Sequence, residues 1–127
     1  MLSADESHHL TALSARLEVE TGNLSQGIDL IRRAARQAPD YPPHLYWLCE
    51  YLMNGERWLE AIEAADELIA WSERSGNPYF LDDARFRKAL CLKALGRYAE
   101  LPPLIRILPP DIESFTCDRL YSLDDLD

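Results

Sequence analysis

Residues Gly22-Asn23-Leu24-Ser25-Gln26-Gly27-Ile28 and Glu56-Arg57-Trp58-Leu59-Glu60-Ala61-Ile62 stand 34 positions apart and read as two versions of one pattern. Leu24 aligns with Trp58, Gly27 with Ala61, Ile28 with Ile62 and, further on, Ala34 with Leu68. Gly96-Arg97-Tyr98-Ala99-Glu100-Leu101 repeats the pattern after an insertion of about six residues around Ser75 to Phe80. A recurrence of this length, each unit holding two helices, is how stacked helical hairpins show themselves in sequence.

Outward from these stretches the apolar spacing is helical. Leu10, Leu13 and Leu17 follow a three-then-four step, as do Ile28, Ile31 and Ala35, then Leu45, Leu48 and Leu52, then Ile62, Ala65 and Ile69. Breaks fall at Thr21 to Asn23, Pro39 to Pro43, Asn54-Gly55, Ser75 to Pro78, Gly96, Pro102-Pro103 and Pro109-Pro110. Ser25 or Asn23 can cap the second helix with a short side-chain oxygen. Pro42-Pro43 suits a helix start, where no amide proton is needed. Gly22, Gly55 and Gly96 each follow a helix and can take the left-handed conformation that ends it. No segment of useful length alternates with a period of two, so no β-sheet is expected.

Composition narrows the function classes. At 127 residues and 47% hydrophobic, the chain suits one domain, residues 1–127, with a substantial core. The net charge of −9 repels phosphate backbones and anionic lipid, so neither nucleic acid nor a membrane is an expected partner; a basic protein or peptide is. Cys49, Cys91 and Cys117 are scattered and odd in number, which argues against a disulfide framework and for reduced thiols in a cytoplasm. The opening residues Met1 to Glu6 lack the basic and apolar regions of a signal peptide, and no apolar run approaches a membrane span.

The recurring pattern resembles the tetratricopeptide repeat. The first unit, about 8–41, carries Ala15, Gly22, Leu24, Gly27, Ile31, Ala34 and Pro39; the second, about 42–75, Leu45, Leu48, Cys49, Leu52, Trp58, Ala61, Ala65 and Leu68; the third, about 82–108, Ala89, Leu92, Gly96, Tyr98, Leu101 and Ile105. Small residues recur where paired helices must approach closely. The second unit has its glycine one place early, and Pro102-Pro103 should shorten the last helix of the third. The resemblance implies an all-α solenoid of about three helical hairpins. A C-terminal capping helix is expected over residues 111–123, around Ile112, Phe115, Leu120 and Tyr121.

The same resemblance implies a concave face lined by the first helix of each unit. The positions mapping there are His9, Ala12, Arg16, Tyr46, Glu50, Met53, Phe86, Leu90 and Lys93. They mark a peptide- or protein-binding groove, since aromatic residues and methionine favour interface centres. A second candidate surface is acidic: Glu56, Glu60, Glu63 and Glu67 recur at three- and four-residue spacing and would suit a basic partner.

Catalytic chemistry finds little support. There is no phosphate loop and no dinucleotide fingerprint. His8, His9 and His44 lack the spacing of a zinc hydrolase and are expected at the surface or in turns; no metal or cofactor is expected. Cys49 sits at a small buried position beside Glu50, a setting that raises a thiol pKa. The expected function is therefore a non-enzymatic adaptor or chaperone-like interaction module. The alternative is a bacterial immunity-type inhibitor that covers the active site of a basic toxin.

Overall fold

The computed structural model describes residues 4–127, with side chains from Ser7 onward. Six α-helices carry the fold: α1 (Ala4–Glu20), α2 (Leu24–Gln37), α3 (Pro43–Asn54), α4 (Trp58–Ser75), α5 (Leu81–Ala94) and α6 (Leu101–Ile107). A 3₁₀ turn at Tyr98–Glu100 leads into α6. The fold class is all-α as expected, and Pro102 and Pro103 do leave α6 short.

Each helix packs chiefly on the next in sequence. Side-chain links also join alternate helices: His8 of α1 to His44 of α3, Arg32 of α2 to Glu60 of α4, and Glu50 of α3 to Arg87 of α5. Small residues set the spacing within a pair. A Cβ built on Gly27 would stand 2.4 Å from Val19 Cγ2, so α1 and α2 approach as closely as the chain allows. The matching Ala61 is fully buried, and its carbonyl oxygen lies 3.5 Å from Cys49 Sγ. One core runs the length of the chain, through Ala15, Ile28, Ile31, Leu52, Ala65, Phe86, Leu92 and Leu126.

The three turns joining α1 to α2, α3 to α4 and α5 to the 3₁₀ segment share one hydrogen-bond pattern. Asn23 N donates to Glu18 O (2.7 Å), Arg57 N to Leu52 O (2.9 Å) and Arg97 N to Leu92 O (2.9 Å), each the long closing bond of a Schellman turn. The left-handed residue is Gly22 in the first and Gly96 in the third, with φ of 90° and 73°. In the second it is Glu56, at φ 57°, while Gly55 stays right-handed at φ −88°. The expectation for Gly55 is thus corrected: its glycine sits one place early, and the turn keeps its register at the expense of the residue. Asn23 occupies the N-cap of α2, but its side chain makes no capping bond; Nδ2 donates to Glu18 instead.

The expected capping helix over residues 111–123 does not form, and the expectation of no sheet is corrected with it. Glu113–Thr116 (β1) and Arg119–Ser122 (β2) pair as an antiparallel hairpin, followed by a 3₁₀ turn at Leu123–Leu126. The physical reason is local. Cys117 and Asp118 both take positive φ, 52° and 58°, which makes the two-residue type I′ turn whose twist matches paired strands. The aromatic and β-branched residues beside it suit extended backbone better than helix. The hairpin faces inward with Ser114 and Thr116, both buried, and outward with Phe115 (65% exposed) and Leu120 (56%).

The leucines that announce α1 do not enter the core either. Leu10, Leu13 and Leu17 are 46%, 55% and 62% exposed, while Ala15 is fully buried and Ala12 and Val19 partly so. The residues 34 positions later are His44, Trp47 and Tyr51. His44 and Tyr51 are buried and border the cleft against α1. No described residue stands in that place against α1.

Candidate functional site

The expected concave row is divided in two by the C-terminal hairpin. Its α3 and α5 members are engaged by the chain itself. Glu50 accepts hydrogen bonds from the Thr116 hydroxyl and, at 2.6 Å, from the Cys117 amide. It also pairs at 2.9 Å with Arg87, whose side chain is 1% exposed. Arg87 donates from Nη1 to the Tyr46 carbonyl at 2.8 Å and lies 3.8 Å above the Tyr46 ring. Asp83 completes the group: it lies 3.1 Å from Arg87 Nε, without a well-directed hydrogen bond, and accepts from the Ser114 hydroxyl. Burial works against the Arg87 charge, but Asp83, Cys49, Tyr46 and Glu50 more than offset it, so its pKa rises. Lys93 donates to the backbone carbonyls of Asp125 and Asp127.

Met53 and Phe86, expected at the binding surface, are core residues at 4% and 0% exposure. Both pack within the hydrophobic core. Beside the hairpin a hollow remains, lined by Met53, Glu56, Trp58, Leu90 and Lys93 from the helices and by Cys117, Arg119 and Tyr121 from the hairpin.

His9 and Arg16 remain open. They line a cleft of about 550 Å³ between α1 and α3, within the size range of ligand pockets. Ala12, Leu13 and Val19 form one wall; Tyr41, Pro43, His44, Trp47 and Tyr51 form the other. Arg16 and Glu20 pair with each other at 3.0 Å on its rim, leaving the interior largely apolar. Leu13 and Trp47, both exposed and 34 positions apart, line it from α1 and α3.

One end of this cleft is built from histidines, which corrects their expected place at the surface. His8 Nδ1 and His44 Nε2 lie 2.8 Å apart, and the two residues are 5% and 2% exposed; only His9 is open to solvent. Tyr41 covers the pair, with ring centroids 5.2 Å from His8 and 4.7 Å from His44. Burial, with the neighbouring His8 and His9, lowers the His44 pKa to about 4. At neutral pH His44 is therefore uncharged, and its Nε2 is within hydrogen-bond distance of His8 Nδ1.

The acidic row is also divided. Glu56 precedes α4 and occupies the left-handed turn position. Glu60 accepts from Arg57 (2.7 and 2.9 Å) and Arg32 (3.0 Å), bonds that hold its carboxyl below the usual range. Glu63 and Glu67 are exposed.

Burial pushes the Cys49 thiol up to about 11 and raises Cys91 and Cys117 as well, so none is a thiolate at neutral pH. Among the described residues no group of three or more His, Cys, Asp or Glu side chains is placed to hold a metal ion. No described helix is long and apolar enough to cross a membrane.

Sequence reasoning missed Leu13, Tyr41, Trp47 and Tyr51 as site residues, and Arg87 as a structural centre. The repeat offset could have found Trp47, since it aligns with Leu13. Arg87 had no such signal, because it is buried by a hairpin that was expected to be a helix. No family model matches the chain, and no curated protein matches it.

Proposed function

We propose that this chain is a non-enzymatic interaction module of tetratricopeptide type, acting in a reducing cytoplasm, that grips an apolar segment of a partner protein in the α1–α3 cleft. The observation that carries this reading is the cleft itself: a largely apolar trough lined by Leu13 of α1 and Trp47 of α3, beside the exposed Leu10 and Leu17. Contiguous exposed apolar surface of this kind is uncommon on a protein with no partner. The repeated Schellman turns and the alternate-helix links support the repeat reading. The net charge of −9 favours the approach of a basic partner from a distance, while the cleft supplies short-range grip.

The alternative, an inhibitor that covers a basic toxin, draws on the acidic face. Of that row Glu56, Glu63 and Glu67 stand exposed and without an ion pair among the described residues, while Glu60 is held by Arg32 and Arg57. A photo-crosslinking residue, p-benzoylphenylalanine, tests both. Placed at Leu13 or Trp47 it should trap a partner in the source cell, and Leu13→Glu should abolish trapping from position 47. Trapping from position 63 alone would reject the cleft in favour of the acidic face.

A further inference from the structure

On the opposite side of the helix layers lies a second cleft of different chemistry. It has a volume of about 630 Å³ and sits where the C-terminal ends of α2 and α4 meet the start of α3. Its floor is apolar: Ala35, Ala38, Pro39, Leu45, Leu48 and Trp71. Its rim is cationic: Arg32, Arg36 and Arg74, with Glu67 the one carboxylate in the lining. Arg33 extends the rim along α2 beside Arg32 and Arg36. Arg32 is committed to Glu60 at 3.0 Å. Arg33, Arg36 and Arg74 make no ion pair among the described residues, whereas most other arginines of the chain do.

In a chain with 22 acidic and 13 basic residues, such a gathering runs against the overall charge. Helix dipoles give a partial account, since Arg36 and Arg74 each stand in the last turn of a helix. That explains each arginine singly, but not why both helix ends should converge on one apolar hollow. Guanidinium groups bind carboxylates in a planar, two-pronged geometry, and more strongly beside apolar surface than in open water. An apolar floor with an arginine rim fits a segment in which leucine-like side chains alternate with carboxylates.

We infer that this cleft is a second docking site, and that its occupant is an acidic amphipathic peptide segment of a partner, carboxylates toward Arg36 and Arg74 and apolar side chains toward Leu45 and Trp71. The site is independent of the α1–α3 cleft and has the opposite charge preference from the chain as a whole. A lysine-flanked segment should be refused here, because the rim repels it.

Two synthetic helical peptides test this on the full chain. They share one leucine and phenylalanine pattern and differ only in their flanking residues, glutamate in one and lysine in the other. The glutamate peptide should bind, shift the amide resonances of residues 35–39, 45–48 and 70–74, and weaken as salt rises. The lysine peptide should leave those resonances in place. The double variant R36E/R74E should keep its helical circular dichroism, since both side chains are exposed, and lose at least about tenfold in affinity for the glutamate peptide. R36Q/R74Q should lose less. Equal shifts of residues 35–39, 45–48 and 70–74 by the two peptides, shifts from the glutamate peptide confined to the α1–α3 cleft, affinity unchanged in R36E/R74E, or no binding of the glutamate peptide would each overturn the inference.

Discussion

At the scale of single residues, two positions carry an energetic cost that a measurement can expose. Glu56 holds a left-handed conformation that its counterparts Gly22 and Gly96 adopt freely. Glu56→Gly should therefore stabilise the protein by about 0.5–1 kcal/mol in urea unfolding, relief of backbone strain outweighing the added freedom of the unfolded chain. A glycine at an exposed turn position with negative φ would have the opposite sign. His44 is the second. Its folded pKa of about 4 lies below its unfolded value of 6.5, so the unfolded chain takes up the proton first. The stability tied to the neutral imidazole is complete above pH 6.5, falls as the pH drops through that window, and levels off below about 4. Unfolding free energies measured across that range should fall by about 3 kcal/mol, and His44→Leu should flatten the profile.

At the scale of elements, the C-terminal hairpin is held by polar contacts where most of the molecule relies on apolar packing. Glu50 receives Thr116, the Cys117 amide and Arg87 on one carboxylate, so Glu50→Ala releases the hairpin and leaves the buried Arg87 with Asp83 as its one carboxylate partner among the described residues. It should cost about 3 kcal/mol in urea unfolding, and the amides of residues 113–122 should lose protection from hydrogen exchange more than those of α2. The same hairpin marks the limit of what could be read in advance. Helices α1 to α5 were legible because an apolar step of three and four over many residues has few other solutions, and the turns were legible through glycine. Four-residue strands are too short for alternation to register, and the Cys117-Asp118 turn lacks the asparagine or glycine that usually marks a type I′ bend. The helix of the leucine stripe was likewise legible and its direction was not, because which face a periodic helix buries depends on what stands beside it. Of the residues expected in the groove, His9 and Arg16 line the α1–α3 cleft, whereas Tyr46, Glu50 and Lys93 are engaged by the chain itself.

At the scale of the whole molecule, charge and apolar surface are distributed unevenly. Exposed leucines run along α1, arginines without ion pairs among the described residues lie along α2 and α4, and the C-terminal segment engages Glu50 of α3 and Asp83 and Lys93 of α5. Salt should therefore act unequally: association with a basic partner should slow as ionic strength rises, while the dissociation of a segment seated between Leu13 and Trp47 should change little. Stopped-flow rates at two salt concentrations would show whether the two effects separate. The aromatic residues add a practical consequence. The chain has three tryptophans, and each borders a different hollow: Trp47 the α1–α3 cleft, Trp71 the arginine-rimmed cleft, and Trp58 the recess beside the hairpin. With any two replaced by phenylalanine, the remaining indole becomes a private emitter for its own compartment. A blue shift or quench in one such variant, with the other two silent, would name the occupied compartment before the identity of its visitor is known.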